Sequence, residues 1–322
     1  MVKHHIPKNL KEALKVLDTN DCYIMAGGTD LMVVKHQKAG LIPNFDKDVL
    51  YIADLKELQY IFEDENGVHI GAGTKYRDIE KCEFVPELLK QIIHELASPN
   101  IRNMATMAGN VANASPAGDS VVGLYLLDAT LELESVHGSR IVPINEFIFG
   151  VRKIHLKKNE LIKEIFIPHH DDLNTYWRKV GSRAAESISK ITFAGGYEVE
   201  DGKIKDFRMA FGSVNITCAR DRKVEEKYIG MTVEELKSHT DDIVNDMSKY
   251  VTPITDQRST KEYRYRVAIN ILRDFISVQP NSTPITSVSL CSCTARREQA
   301  RPLSLARLTK RLYSIATRAS RE

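Results

Sequence analysis

Ala26-Gly27-Gly28-Thr29-Asp30-Leu31 joins a short apolar run, Cys22 to Met25, to a stretch that can resume a helix, so its two glycines mark a strand-to-helix turn. Far along the chain, a second small-residue loop, Ala105-Thr106-Met107-Ala108-Gly109-Asn110, runs on to Ser115-Pro116-Ala117-Gly118-Asp119. Each loop offers backbone N–H groups with almost no side-chain bulk, as close approach to a pyrophosphate requires. A Gly-Gly pair alone signals only a turn, and the G-x-G-x-x-G fingerprint is absent. The two loops together read as a holder for one long anionic dinucleotide.

Outward from the first loop, Leu10, Ala13, Leu14 and Leu17 recur at helical spacing, and Cys22 to Met25 reads as a buried strand. A helix is expected over Asp30 to Lys38, ended by Gly40, with a further strand at Val49 to Ile52. Asn66-Gly67 between Ile61-Phe62 and Val68-Ile70 predicts a hairpin turn with positive φ angles. Pro86 opens a helix whose Leu88, Leu89, Ile92, Ile93 and Leu96 share one face and which leads to the second loop. Strands follow near 129–136 and 161–167. From Asn174 the pattern becomes strands about an Asp201-Gly202 turn, a capping box from Thr232 to Glu235, and a helix carrying Val267, Ala268, Ile271, Leu272 and Phe275. The expected organisation is α+β: residues 1–170, a polar connector at His169 to Asp172, and a smaller α+β domain over 175–277. A metal reading of the connector fails because four successive polar residues cannot all face one ion. Residues 278–322 turn rich in Ser, Thr and Arg and read as a disordered tail, with a nucleic-acid- or membrane-binding tail as the alternative.

With 322 residues and 43% hydrophobic content the chain can fill a proper core. A net charge of +2 excludes a nucleic-acid surface as the main function. Cys22, Cys82, Cys218, Cys291 and Cys293 contain no C-x-x-C pair, so any metal centre is expected on another chain. Neither a run of about 18 apolar residues nor a signal-peptide pattern occurs, and the expected location is cytoplasmic.

Ala26 to Leu31, Ser98 to Asp119, Asn159-Glu160-Leu161-Ile162 leading to Pro168, and Lys179-Val180-Gly181-Ser182-Arg183 together resemble the FAD-binding medium subunit of the molybdenum hydroxylases. That family includes xanthine, nicotinate and carbon monoxide dehydrogenases, and the resemblance covers residues 3–277. It implies a two-part FAD-binding domain of the p-cresol methylhydroxylase/vanillyl-alcohol oxidase type, then a domain of the CO dehydrogenase flavoprotein C-terminal type. It assigns Ile24, Met25, Ala26, Gly27, Gly28, Thr29, Asp30 and Leu31 to the FAD diphosphate. Ala105, Thr106, Gly109 and Asn110 would reach phosphate and ribose, Asp119 a cofactor hydroxyl or amide, Leu161 or Ile162 the cofactor through the backbone, and Lys179 the phosphate or the reduced flavin.

The residues themselves leave two of these roles open: Asp119 also suits a helix N-cap, and Lys179 a solvent-facing charge. Trp177 reads as core or interface packing, with flavin stacking as the alternative, and Arg102 and Asn103 as braces for the second loop or as residues facing a partner subunit. Ala108 stands where the family pattern has glycine, which binding tolerates if its φ stays negative. Gly28→Val is expected to eliminate binding by filling phosphate space. No histidine or cysteine lies within Ala26 to Leu31, so the FAD is expected to be noncovalent, and the cysteine-bearing insertion of one iron–sulfur subfamily is missing.

The implied function is electron transfer: molybdopterin on a large partner subunit, [2Fe–2S] clusters on a small one, and FAD here passing electrons to NAD or another acceptor. Asp256-Gln257-Arg258-Ser259-Thr260-Lys261-Glu262-Tyr263-Arg264 resembles the xanthine and purine branch. The rival readings are an FAD-free assembly subunit and a free-standing flavin oxidase with its substrate site in the C-terminal domain.

Overall fold

The helix Leu10–Thr19 begins where the Asn9 side chain accepts from the Glu12 N–H, and it turns Ala13, Leu14 and Leu17 inward. These side chains meet Leu50, Ile52, Leu55, Leu58 and Leu161 in a small core beside a parallel sheet. In that sheet Asp48–Tyr51 lies between His4–His5 and Cys22–Met25. Cys22–Met25 is therefore an edge strand and is half-buried along its length, not buried as its apolar sequence predicts. The computed structural model describes residues 2–36, 43–183 and 185–277, all within the unit Met1–Pro284. The tail over 278–322 and the expected helix end at Gly40 lie outside the described residues.

A second, antiparallel sheet has the order Ile61–Glu63, Gly67–Gly71, Leu161–Pro168, Thr130–Ser135, Gly138–Pro143. Its central strand, Leu161–Pro168, pairs Ile165 with Ile70 on one side and with Leu131 on the other. The first hairpin forms as expected, but neither Asn66 nor Gly67 has positive φ. The Asp64 carboxylate shapes the turn by accepting from the N–H groups of Asn66 (2.8 Å) and Gly67 (3.0 Å). Gly67 is required for space, since a Cβ there would stand 2.2 Å from the Ile167 carbonyl oxygen. Leu88, Leu89, Ile92 and Ile93 of helix Glu87–Glu95 and every residue of helix Asp119–Leu126 are buried. Each fully buried leucine contributes on the order of 2 kcal/mol of apolar transfer energy.

The strands Asn174–Val180, Ile191–Glu200 and Lys203–Gly212 form an antiparallel meander, turned at Asp201 and Gly202 with φ of 50° and 76°. Helix Lys261–Ser277 packs Ala268, Leu272, Phe275 and Ile276 into that sheet's core, and the Thr232–Glu235 capping box is complete. The meander grips helix Asp119–Leu126 at its C-terminal end. There Arg208 donates to the Leu126 carbonyl (2.8 Å) and Arg220 to those of Tyr125 and Leu126. Cationic donors suit the partial negative charge of a helix C-terminus.

One acid-sensitive contact ties the antiparallel sheet to the loop before its central strand. Glu160, 5% exposed, accepts from Arg140 Nε and Nη2 (both 2.9 Å) and from the Lys157 N–H (2.9 Å). The Arg140 guanidinium holds this carboxyl below its ordinary value of 4.5. Its folded value is depressed, so its stabilisation is present above pH 4.5 and is lost as pH falls through the folded value. Glu160→Gln should therefore flatten the acid limb of a stability-versus-pH curve, measured by thermal melts between pH 3 and 7 (a range of about four units).

Candidate functional site

The first glycine loop leaves its N–H groups open. Met32 N–H closes on the Gly28 carbonyl and Val34 N–H on that of Asp30, both at 2.9 Å, starting the helix Leu31–Lys35. That helix ends at Lys35 with His36 as its C-cap, and the expected reach to Lys38 lies outside the described residues. Among the described residues, the N–H groups of Gly27, Gly28, Thr29, Asp30 and Leu31 find no acceptor in the chain. Five successive unpaired donors at a strand-to-helix turn form a concavity suited to an anion. Gly28 has φ +69°, and a Cβ on it would meet Met25 Sδ and Met32 Cγ at 3.3 Å. Its side-chain position thus faces two methionines, so valine there acts through backbone strain and crowding of Met25 and Met32, which replaces the expectation that it fills phosphate space.

The second loop sits directly against the first. A Cβ on Gly27 would lie 2.0 Å from the Met104 carbonyl oxygen and 3.0 Å from the Ala105 Cα. Ala105 is anchored by its own N–H to the Ile101 carbonyl (2.8 Å) and by its carbonyl to the Tyr76 N–H (3.0 Å). Thr106 is the N-cap of helix Met107–Asn113, its hydroxyl accepting from the Gly109 N–H at 3.0 Å. Ala108 lies inside that helix, with no positive φ, and its methyl points into the main core. The condition set for tolerating alanine at this position is met. Asn110 accepts at Oδ1 from Ser120 Oγ (3.0 Å).

Asp119 and Lys179 meet each other. Lys179 Nζ donates to Asp119 Oδ2 and to the Glu95 carbonyl, both at 2.7 Å, while Ser189 Oγ donates to Asp119 Oδ1 at 2.5 Å. The two side chains are 8% and 7% exposed. The solvent-facing alternative for Lys179 is thereby overturned. So is the N-cap alternative for Asp119: Gly118 is the cap residue, and the Asp119 carboxylate reaches across to the C-terminal sheet. Burial raises the Asp119 carboxyl from its ordinary value, and the Lys179 ammonium opposes that rise. Trp177 packs in the main core beside this pair and donates from Nε1 to Glu95 Oε2 (3.1 Å).

Leu161 and Ile162 open the central strand and face opposite cores. Leu161 packs with the small core that Ile24 and Ala26 flank, and Ile162 with the core that holds Ala105, Ala108 and Val111. Arg102 donates to the Leu96 carbonyl at 2.8 Å and pairs with Glu80, so its side chain ties to the end of helix Glu87–Glu95 and not to the second loop.

Sequence reading missed Arg152. Its guanidinium donates to Asn113 Oδ1 (2.8 Å) and reaches Asp30 Oδ2 (3.4 Å), so one side chain ties the helix of the second loop to the first loop. It also missed Ser189, Glu95 and the Met104 carbonyl. None has a local signal, because each acts on a partner many residues distant. A cavity of about 530 Å³ lies against helix Lys261–Ser277, near Pro253, Tyr265, Arg266 and Ile269, and no residue of either glycine loop lines it.

The arrangement fits a dinucleotide diphosphate: unpaired N–H groups on one loop, and the backbone of Met104 and Ala105 packed against its Gly27. Comparison with known proteins agrees. A family model described as the FAD binding domain in molybdopterin dehydrogenase matches residues 1–170, and one described as the CO dehydrogenase flavoprotein C-terminal domain matches residues 176–278. The glyceraldehyde dehydrogenase medium chain of Sulfolobus acidocaldarius is 33% identical over 269 residues, covering 81% of this chain and 92% of that one. The nicotinate dehydrogenase FAD-subunit of Eubacterium barkeri is 31% identical, covering 72% and 81%. The xanthine dehydrogenase FAD-binding subunit of Escherichia coli is 27% identical, covering 85% and 94%. A chain of reconstituted CO dehydrogenase from Oligotropha carboxidovorans shares the fold, with a TM-score of 0.78 at 23% identity over 85% of this chain and 96% of that chain.

Proposed function

Since the chain belongs to the FAD-binding medium subunits of the molybdenum hydroxylases, we propose that it holds FAD noncovalently between its two glycine loops and carries electrons from a partner's [2Fe–2S] clusters to NAD or another acceptor. The observation that carries this reading is the run of unpaired N–H groups from Gly27 to Leu31, set against the backbone of Met104 and Ala105. The flavin supplies the exchange between one-electron and two-electron transfer. The protein binds, orients and shields it.

The backbone donors of the first loop and the Thr29 hydroxyl take the diphosphate, and Thr106, Gly109 and Asn110 close the cradle from the other side. Lys179 has a third ammonium hydrogen beyond those given to Asp119 and Glu95. We assign that hydrogen to the cofactor, with Asp119 as the counter-charge that keeps the buried ammonium in place. Leu161 and Ile162 supply backbone contacts and an apolar wall. The molybdopterin subunit and the [2Fe–2S] subunit belong to the same cytoplasmic complex, and no residue of this chain is assigned an acid–base role.

The finer reading, that the complex oxidises xanthine or another purine, starts from Asp256 to Arg264. In the fold this stretch is occupied with its own structure: Asp256 accepts from the N–H groups of Arg258 (2.8 Å) and Ser259 (3.1 Å) and holds Arg264 Nη2 with both oxygens at 2.7 Å. Substrate choice then lies with the molybdenum subunit, and the co-expressed complex assayed on xanthine, an aldehyde and nicotinate decides it.

The isolated chain should take up one equivalent of FAD, show flavin visible absorbance, and release all of it on acid precipitation. It should turn over none of those substrates alone. A chain left colourless after incubation with FAD would support the FAD-free alternative, and turnover by the isolated chain would support the oxidase.

A further inference from the structure

Behind Asn110 runs a buried chain of hydroxyl groups. Tyr76 is 1% exposed and Ser120 0%, and their oxygens lie 2.7 Å apart, a distance compatible with either one donating. Ser120 Oγ is also 3.0 Å from Asn110 Oδ1. Burial pushes the Tyr76 phenol well up, so it keeps its proton, and among the described residues Ser120 is the only acceptor the phenol has.

Counting protons fixes the direction of the whole chain. Were the Asn110 amide reversed, its NH2 would donate to Ser120, and then either the phenolic hydrogen or the Ser120 hydrogen would be stranded in the core, which folded proteins avoid. Tyr76 therefore donates to Ser120, and Ser120 gives its single proton to Asn110 Oδ1. The amide NH2 is left on a half-buried residue with no acceptor among the described residues. Asn110 sits one turn into helix Met107–Asn113, and Met104 and Ala105, just before that helix, adjoin Gly27.

We propose that Tyr76 and Ser120 are positioning residues that fix the Asn110 amide as a hydrogen-bond donor to an oxygen of FAD. The role rests on the flavin site proposed above and adds to it a buried relay that sets which end of the amide the cofactor meets. Phosphate, ribose and carbonyl oxygens accept from such a group, and a carboxylate in its place offers no donor.

The test is a double-mutant cycle on the full chain, read as the FAD dissociation constant by quenching of flavin fluorescence, with the melting temperature of the FAD-free protein beside it. Ser120→Ala should weaken FAD about 10-fold, the range for one lost directed hydrogen bond, and Ser120→Thr should restore binding to within about 2-fold. Asn110→Asp should weaken it more, and Ser120→Ala added to Asn110→Asp should cause no further loss, because Ser120 acts through Asn110. Tyr76→Phe, which keeps the ring, should weaken FAD about 3-fold in the native background and leave the Asn110→Asp protein unchanged.

Wild-type affinity in Ser120→Ala, or losses that simply add, would overturn the relay while leaving the flavin site intact. If Ser120→Ala fails to fold, the Tyr76→Phe cycle decides alone on the same criterion. A native chain that bound no FAD would overturn the site and the relay together.

Discussion

Gly27→Ala is expected to weaken FAD binding at least 100-fold, about 2.7 kcal/mol at 25 °C. The added Cβ would stand 2.0 Å from the Met104 carbonyl oxygen and 2.7 Å from its carbon, both main-chain atoms. No rotamer change relieves that contact, so the two loops must separate. Because overpacking typically costs about 1–3 kcal/mol, the FAD-free protein should melt only a few degrees lower while the cradle loses its shape. Gly28→Val strains a backbone at φ +69° and crowds two flexible methionines, and its effect on binding should be smaller than that of the single methyl at Gly27. Calorimetric titration of FAD into the two variants reads the order directly. Binding of Gly27→Ala at native affinity would mean that the loops do not meet in the cofactor-binding form.

Lys179→Met should destabilise the whole chain by about 3–5 kcal/mol, the usual consequence of stranding one member of a buried ion pair. Asp119 would keep Ser189 as a donor and lose the ammonium. For a domain of this size the melting temperature should drop by roughly 10 °C. Burial already raises the Asp119 carboxyl above its ordinary 3.8, and removing Lys179 removes the group that opposes the rise. A carboxyl with a raised folded value favours folding fully below the unfolded value and loses that contribution as pH rises through the folded one. The gap in stability between native and variant proteins should therefore be smallest near pH 4 and widen toward neutral pH, and pairing Lys179→Met with Asp119→Asn should recover much of it. Thermal melts across pH measure this. A gap independent of pH would show that Asp119 is not the stranded group.

Local chemistry made much of this molecule legible in its sequence. The helices Leu10–Thr19 and Glu87–Glu95 follow from apolar spacing, and the turn at Asp201-Gly202 and the box from Thr232 to Glu235 from residues whose preferred conformations are strong. The Asn66-Gly67 turn was misread because the Asp64 carboxylate, and not glycine torsion, closes it. Distance along the chain hid the rest. Leu161–Pro168 is the centre of its sheet only because it pairs with strands 34 and 95 residues before it (Leu131 and Ile70 opposite Ile165). The pairing of Asp119 with Lys179, the Arg152 tether and the Tyr76–Ser120–Asn110 relay each join segments with no shared local pattern. The glycine loops could be read individually, but their mutual contact at Gly27 and Met104 belongs to the fold.

Amide hydrogen exchange on the chain, followed as FAD is titrated in, tests most directly whether the two loops close on one diphosphate. Protection should rise at residues 26–31 and 105–110 together, with the same dependence on FAD concentration. Saturating FAD that protected one segment and left the other exchanging as before would contradict the shared cradle.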